Sequence, residues 1–157
     1  MLKPIVTTVP VRCPTPVDRL VPFVHGADVE ASLAFYALMG FSAGDVMRDE
    51  RGLAYFSSAS ALNAASGKGP AEIMFAKADA PVVPESQAVL FYMYCTDVGA
   101  LRSHLLACGL HDGGKYCGQR GPNNGRRVVF EVTHPDYMED GELRIADPDG
   151  YCILVGQ

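Results

Sequence analysis

The sequence predicts an α+β fold built from two βαβββ modules, and three observations carry that prediction. An apolar run, a capped helix and three strand-like segments occur in that order and then occur again. A shift of 69 residues lays Asp28-Val29-x-Ala31 over Asp97-Val98-x-Ala100, and Gly40-Phe41 over Gly109-Leu110, so caps and stops coincide. With 48% hydrophobic and 20% charged side chains, a chain of 157 residues can bury a substantial core, which excludes wholesale disorder. An internal repeat of this size implies two similar units sharing one core.

Taken in order, residues 1–18 are rich in Pro and Thr without periodicity and read as an extended lead. Residues 19–157 read as a single domain, with module one near 19–78 and module two near 87–157. The apolar run from Leu20 to His25 is the first strand. Asp28 can accept hydrogen bonds from the free amides of a first helical turn. Val29, Leu33, Tyr36 and Met39 then recur at helical spacing, and Gly40 stops the helix. Strands follow at 41–47, 53–58 and 72–76, the last two separated by an Ala-, Ser- and Gly-rich stretch (61–70) expected to be a mobile loop. In the second module, 89–95 is a strand and Asp97 caps a helix whose stripe is Val98, Leu101, Leu105 and Cys108, ended by Gly109. Residues 111–125 read as an inserted loop. Strands resume at 127–133 and 142–146. Asp147-Pro-Asp-Gly150 is a hairpin turn, with Pro preset for its second position and Gly free to take positive φ. Residues 151–155 form the last strand.

Several function classes are excluded. The net charge is −5 and the 13 Lys and Arg residues are scattered, so the concentrated basic face of a nucleic-acid binder is missing. No run of 18 apolar residues exists, so no membrane-spanning helix is expected. Pro4 and Pro10 break the start of the chain before a signal-peptide core could form, and a cytoplasmic location is expected. The five cysteines are odd in number and contain no Cys-x-x-Cys pair, so neither a disulfide framework nor a zinc knuckle is signalled. Cys95, Cys108 and Cys152 lie in apolar runs and read as small core residues, and Cys117 sits in a Gly-rich loop. Asp136, Glu139, Asp140 and Glu142 form an acidic run around Tyr137, which is either a solvated loop or the rim of a site for a cationic ligand.

The helix at 28–41, with its Asp-Val-x-x-Ser-x-x-Phe-Tyr-x-x-x-Gly-Phe pattern, and the hairpin at 147–151 resemble the vicinal oxygen chelate superfamily, which includes glyoxalase I, extradiol dioxygenases and bleomycin-resistance-type proteins. The resemblance covers roughly residues 19–157. It implies two curved mixed sheets around a cup-shaped cavity, and one divalent metal held in the enzymes of the superfamily by His or Gln, Glu, His and Glu. Carried onto this sequence, those ligand positions fall at Val21, Met74, Leu90 (or Phe91, one residue on) and Leu154. All four are apolar and offer a divalent ion no usual ligand. His25 and Glu72 share the parity of the ligand positions, but they would lie six residues apart along neighbouring strands, roughly 20 Å. The chain is therefore closest in character to the metal-free, bleomycin-resistance-like members, with no metal and no cofactor expected.

What remains is the inward face of the cup. Its expected ligand-binding residues are Phe23, His25, Glu72, Met74, Tyr92, Tyr94 and Leu154, an apolar, aromatic-bearing lining with a few polar points. The alternative is that these side chains merely fill a core. The resemblance implies a metal-free protein that sequesters an aromatic or heterocyclic small molecule, and a homodimer with sites between subunits. The competing reading is a metal-dependent lyase, isomerase or dioxygenase with displaced ligands.

Overall fold

The computed structural model describes residues 20–86, 91–118 and 126–157. The first half runs β1 (Phe23–Gly26), α1 (Val29–Ala37), β2 (Ser42–Arg48), β3 (Ala54–Ala61) and β4 (Ala71–Lys77). The second runs β5 (Phe91–Tyr94), α2 (Val98–Ala107), β6 (His111–Asp112), β7 (Val128–Val129), β8 (Glu142–Ala146) and β9 (Cys152–Gly156). Each half forms one mixed sheet, in the orders β1-β4-β3-β2 and β5-β9-β8-β7-β6. In both, the first strand pairs parallel with the last. Such pairing needs a long crossover, and α1 and α2 begin it. The lead at 1–18, Cys13 and Leu90 lie outside the described residues.

Both helices start and stop as their sequences dictate. The Asp28 carboxylate accepts from the amides of Glu30 and Ala31, and that of Asp97 from Ala100. Gly40 and Gly109 both adopt φ of 88°, a conformation glycine takes without penalty. On α1 the fully buried stripe is Val29, Ser32, Phe35 and Tyr36, while the expected Leu33 and Met39 are only partly buried. The helix is rotated towards β2, β3 and β4, which it packs against. On α2, Val98 and Leu105 are buried, whereas Leu101 and Cys108 are only partly so. Neither helix is long and apolar enough to cross a membrane.

Strand lengths depart from expectation in three places. The first begins at Phe23 and not at Leu20, because Pro22 has no amide to donate; its carbonyl still accepts from Met74 N at 2.9 Å. Of 127–133 only Val128 and Val129 join the ladder, and Thr133 returns as a single bridge to Glu142. The inserted loop opens with β6, which pairs parallel with β7. Gly113 permits that approach: a Cβ there would lie 2.6 Å from the Phe130 ring. The stretch at 61–70 holds a 3₁₀ turn, Ala64–Ser66, capped by the Asn63 side chain.

The 147–150 hairpin ties the halves together. Gly150, at φ 89°, donates to the Asp147 carbonyl at 2.9 Å. Within the turn, Asp149 accepts from Ala27 N at 2.8 Å, and just beyond it the Tyr151 hydroxyl donates to the His25 carbonyl at 2.9 Å. One core runs through both halves, with Phe35, Tyr36, Phe75, Leu105, Ile145 and Ile153 essentially inaccessible. Of the cysteines expected in the core, Cys95, Cys108 and Cys152 are half-buried, and Cys117 is exposed.

Candidate ligand-binding site

Helices α1 and α2 each cover one face of a sheet and leave the other open. On the first sheet, Phe23 lies opposite Met74, and His25 opposite Ala76; Phe56, Ser58 and Ser60 of β3 continue the same rows. Alternation sends Val24, Ile73 and Phe75 into the core and these residues outward. Phe23 is 51% exposed, stacks on Phe56 at 6.1 Å and meets His25 edge-on at 5.2 Å. Half-buried Glu72 lies opposite Ser60.

The second sheet repeats the arrangement. Tyr92 lies opposite Leu154 and Tyr94 opposite Gly156. Arg144 flanks Leu154 on its other side, and Glu142 flanks Gly156. Tyr92 and Tyr94 pack at 5.3 Å, and Lys68 from the first half places its ammonium 5.9 Å over the Tyr94 ring. Among the described residues, then, the two open faces carry Phe23, His25, Glu72 and Met74 on one side and Tyr92, Tyr94 and Leu154 on the other.

A charged network sits beneath the tyrosines. Glu142 is 1% exposed, so its carboxylate needs compensation. The Tyr92 hydroxyl donates to its Oε2 at 2.9 Å, the Tyr137 hydroxyl approaches Oε1 at 3.4 Å, and the Arg144 guanidinium lies 3.6 Å from Oε1. Burial, and then the bond to Glu142, push the Tyr92 phenol up to about 12. Arg144 in turn lies 4.3 Å over the Tyr116 ring, which Phe130 braces edge-on at 5.2 Å. Glu142 therefore leaves the solvated acidic run in which its sequence neighbours place it, whereas Asp136, Glu139 and Asp140 stay exposed.

The residues at the positions implied for a metal do not fit one. Val21, Met74 and Leu154 present hydrocarbon or thioether, and a hard divalent ion wants carboxylate or imidazole. Among the described residues no group of three or more His, Cys, Asp or Glu side chains could hold an ion. His25 and Glu72 stay apart, although nearer than expected. Because Phe23, and not Val21, faces Met74, they are offset by four residues, or about 13 Å at ~3.3 Å each.

His25 also borders a groove of about 420 Å³ at the end of β1, where Asp79, Pro81, Val83, Ser86 and Tyr151 complete the wall. Arg144, Tyr116 and Phe56 were not among the residues expected at the site, and Glu142 was expected only as part of an acidic run that is either solvated or the rim of a cation site. The period-two run of β8, with Leu143 and Ile145 inward, was the signal that could have found Arg144 and Glu142.

No protein-family model and no curated protein sequence matches the chain. Solved structures do match its fold. A bleomycin resistance determinant encoded on the transposon Tn5 is 15% identical with a TM-score of 0.61, covering 90% of this chain and 98% of that one. A bleomycin-binding protein complexed with bleomycin is 16% identical with a TM-score of 0.60, covering 90% and 98%. A glyoxalase-related enzyme from Clostridium phytofermentans is 13% identical with a TM-score of 0.62, covering 92% and 97%. The fold is thus the one shared by bleomycin-resistance and glyoxalase-related proteins, as the helix and hairpin motifs imply.

Proposed function

We propose that this chain is a metal-free small-molecule-binding protein that captures a flat aromatic or heterocyclic compound on the open faces of its two sheets. The observation supporting it is a set of large apolar side chains left in water on those faces: Phe23, Tyr92 and Tyr94 at 51%, 39% and 68% exposure. Covering such surface gives roughly 25 cal/mol per Å² of apolar area, and rings add stacking. His25, Glu72 and the network below Tyr92 supply the few polar points that orient a ligand. The mechanism is stoichiometric capture, with no bond made or broken. Residues 19–157 act as one domain, and a homodimer places each site between subunits.

The likeness in fold to a bleomycin-binding protein supports capture, and the likeness to a glyoxalase-related enzyme favours a second reading, a metal-dependent lyase, isomerase or dioxygenase. Two measurements separate them. The chain has seven tyrosines and no tryptophan, so tyrosine emission reports on ligands screened against the open faces. Saturable quenching by planar aromatics supports capture, and a screen with no saturable binder removes it. Calorimetric titration of chelator-stripped protein with Zn²⁺, Ni²⁺, Mn²⁺ and Fe²⁺ tests the enzyme reading; tight stoichiometric uptake would put it first.

A further inference from the structure

Arg144 stands on β8 beside Leu154, so its side chain belongs to the open face of the second sheet. Its guanidinium has one flat side covered, 4.3 Å from the Tyr116 ring. Its neighbour Glu142 is 3.6 Å away, longer than a hydrogen bond, and that carboxylate already accepts from Tyr92. Glu142 thus balances the charge of Arg144 without occupying its fork of donors. Among the described residues no side chain or carbonyl accepts a hydrogen bond from Arg144, yet only 30% of its side chain is exposed. A guanidinium held flat on a ring, with five N–H donors that no described protein group uses and that still reach solvent, is a fork open to a ligand.

Resting on the capture reading above, we infer that Arg144 forms an oxyanion subsite and that the ligand is an aromatic carboxylate. The planar fork of a guanidinium matches a carboxylate with two parallel hydrogen bonds, and stacking on Tyr116 fixes its plane in advance. Tyr92 and Tyr94 lie across the same face on β5, with only β9 between them and Arg144, to take the ring of the ligand. Lys68, over the Tyr94 ring, adds a second cation at the rim. The exposed Asp136, Glu139 and Asp140 argue for a cation instead, but they sit on the solvated loop and none of them contacts Arg144.

The test uses three probes of one shape on the full chain: 2-naphthoate, 2-naphthamide and 2-naphthylmethylamine, titrated by calorimetry. The subsite requires naphthoate to bind about tenfold or more tighter than the amide, as expected for charge-assisted bonds. Arg144→Gln should erase that gap by weakening naphthoate far more than the amide, and Arg144→Lys should keep part of it. Tyr116→Leu, which leaves the charge in place, should narrow the gap several-fold and serves if the Arg144 variants fail to fold. Equal binding of naphthoate and amide, or tighter binding of the amine, overturns the oxyanion subsite while capture stands. Failure of all three probes to bind overturns both.

Discussion

The phenol of Tyr92 donates a 2.9 Å hydrogen bond to the carboxylate of Glu142, fifty residues further along the chain. The bond joins β5 to β8 across β9, and it satisfies an oxygen that burial has removed from water. Tyr92→Phe keeps the ring and deletes the donor, leaving that oxygen short of a partner. The expected loss is about 1–3 kcal/mol in urea-induced unfolding. The bond also sets a pH dependence. Because the folded phenol titrates near 12 and an unfolded tyrosine near 10, its contribution is fully present below about 10 and is lost as pH rises through about 12. Stability should fall across that window in the parent chain, and less steeply in the Tyr92→Phe variant.

Asp147 predicts a second pH effect, of the same sign but in a different range. It is 1% exposed, and desolvation raises its carboxyl to about 7, with Asp149 adding repulsion. Its Oδ1 accepts from the amides of Asp149 and Tyr151, which pulls the other way but not far enough. Tyr36, whose hydroxyl is buried without a partner, and Tyr151 also face this carboxylate and feel its charge. A folded pKa above the unfolded one means that the folded state holds the extra proton. Stability is then greatest below about pH 4 from this group and declines as pH rises through about 7, by up to about 1.4 kcal/mol per unit. Asp147→Asn should flatten that slope in thermal unfolding measured from pH 4 to 8.

Gly156 is required by packing against the same network. A Cβ there would lie 2.8 Å from Met138 Cε and 3.1 Å from Tyr92 Cε1. Met138 is flexible and can yield; the Tyr92 ring is held by Glu142 and cannot move without giving up its bond. Gly156→Ala should therefore cost about 1–3 kcal/mol and lower the Tyr92 pKa, read by ultraviolet titration of the phenols. An alanine variant with parental stability and an unchanged titration would show that Met138 alone absorbs the change.

The fold was legible because its punctuation is local. Asp28 and Asp97 cap, Gly40 and Gly109 stop, and each does so through its own neighbouring backbone. Parity did the rest for the open faces, putting Phe23 with Met74 and Tyr92 with Leu154. The repeat even persists in register: the offset is 69 residues between Phe23 and Tyr92 but 80 between Met74 and Leu154, so the second module carries eleven more. Parallel register itself is not local. Nothing near Val21 or Phe23 says which of them faces Met74, and that choice is made by packing across the sheet. The charged network was hidden for a similar reason. Glu142 reads as solvated among Asp136, Glu139 and Asp140, and its burial becomes tolerable through partners its own neighbourhood does not announce, Tyr92 from another strand above all. Arg144 and Tyr116 meet through the inserted loop, whose path no periodicity describes.

Tyr94 offers the sharpest separation of binding from folding. It is 68% exposed at the end of β5, its only ring partner among the described residues is Tyr92, and Lys68 lies above it. Truncating an exposed side chain with so few contacts changes stability by about 0.5 kcal/mol or less. If the open faces hold a ligand ring, the same truncation removes a stacking surface and weakens binding by about tenfold. Tyr92→Ala should differ, lowering both, because it also strips Glu142 of its shortest hydrogen bond. Phe23, the counterpart of Tyr92 in the first sheet, makes no hydrogen-bonded link to a buried carboxylate among the described residues, so Phe23→Ala should resemble Tyr94→Ala. Measuring thermal unfolding and 2-naphthoate affinity on the three variants checks the set. Parental affinity in both Tyr94→Ala and Phe23→Ala would place the ligand elsewhere, with the groove beside His25 and Asp79 next in line.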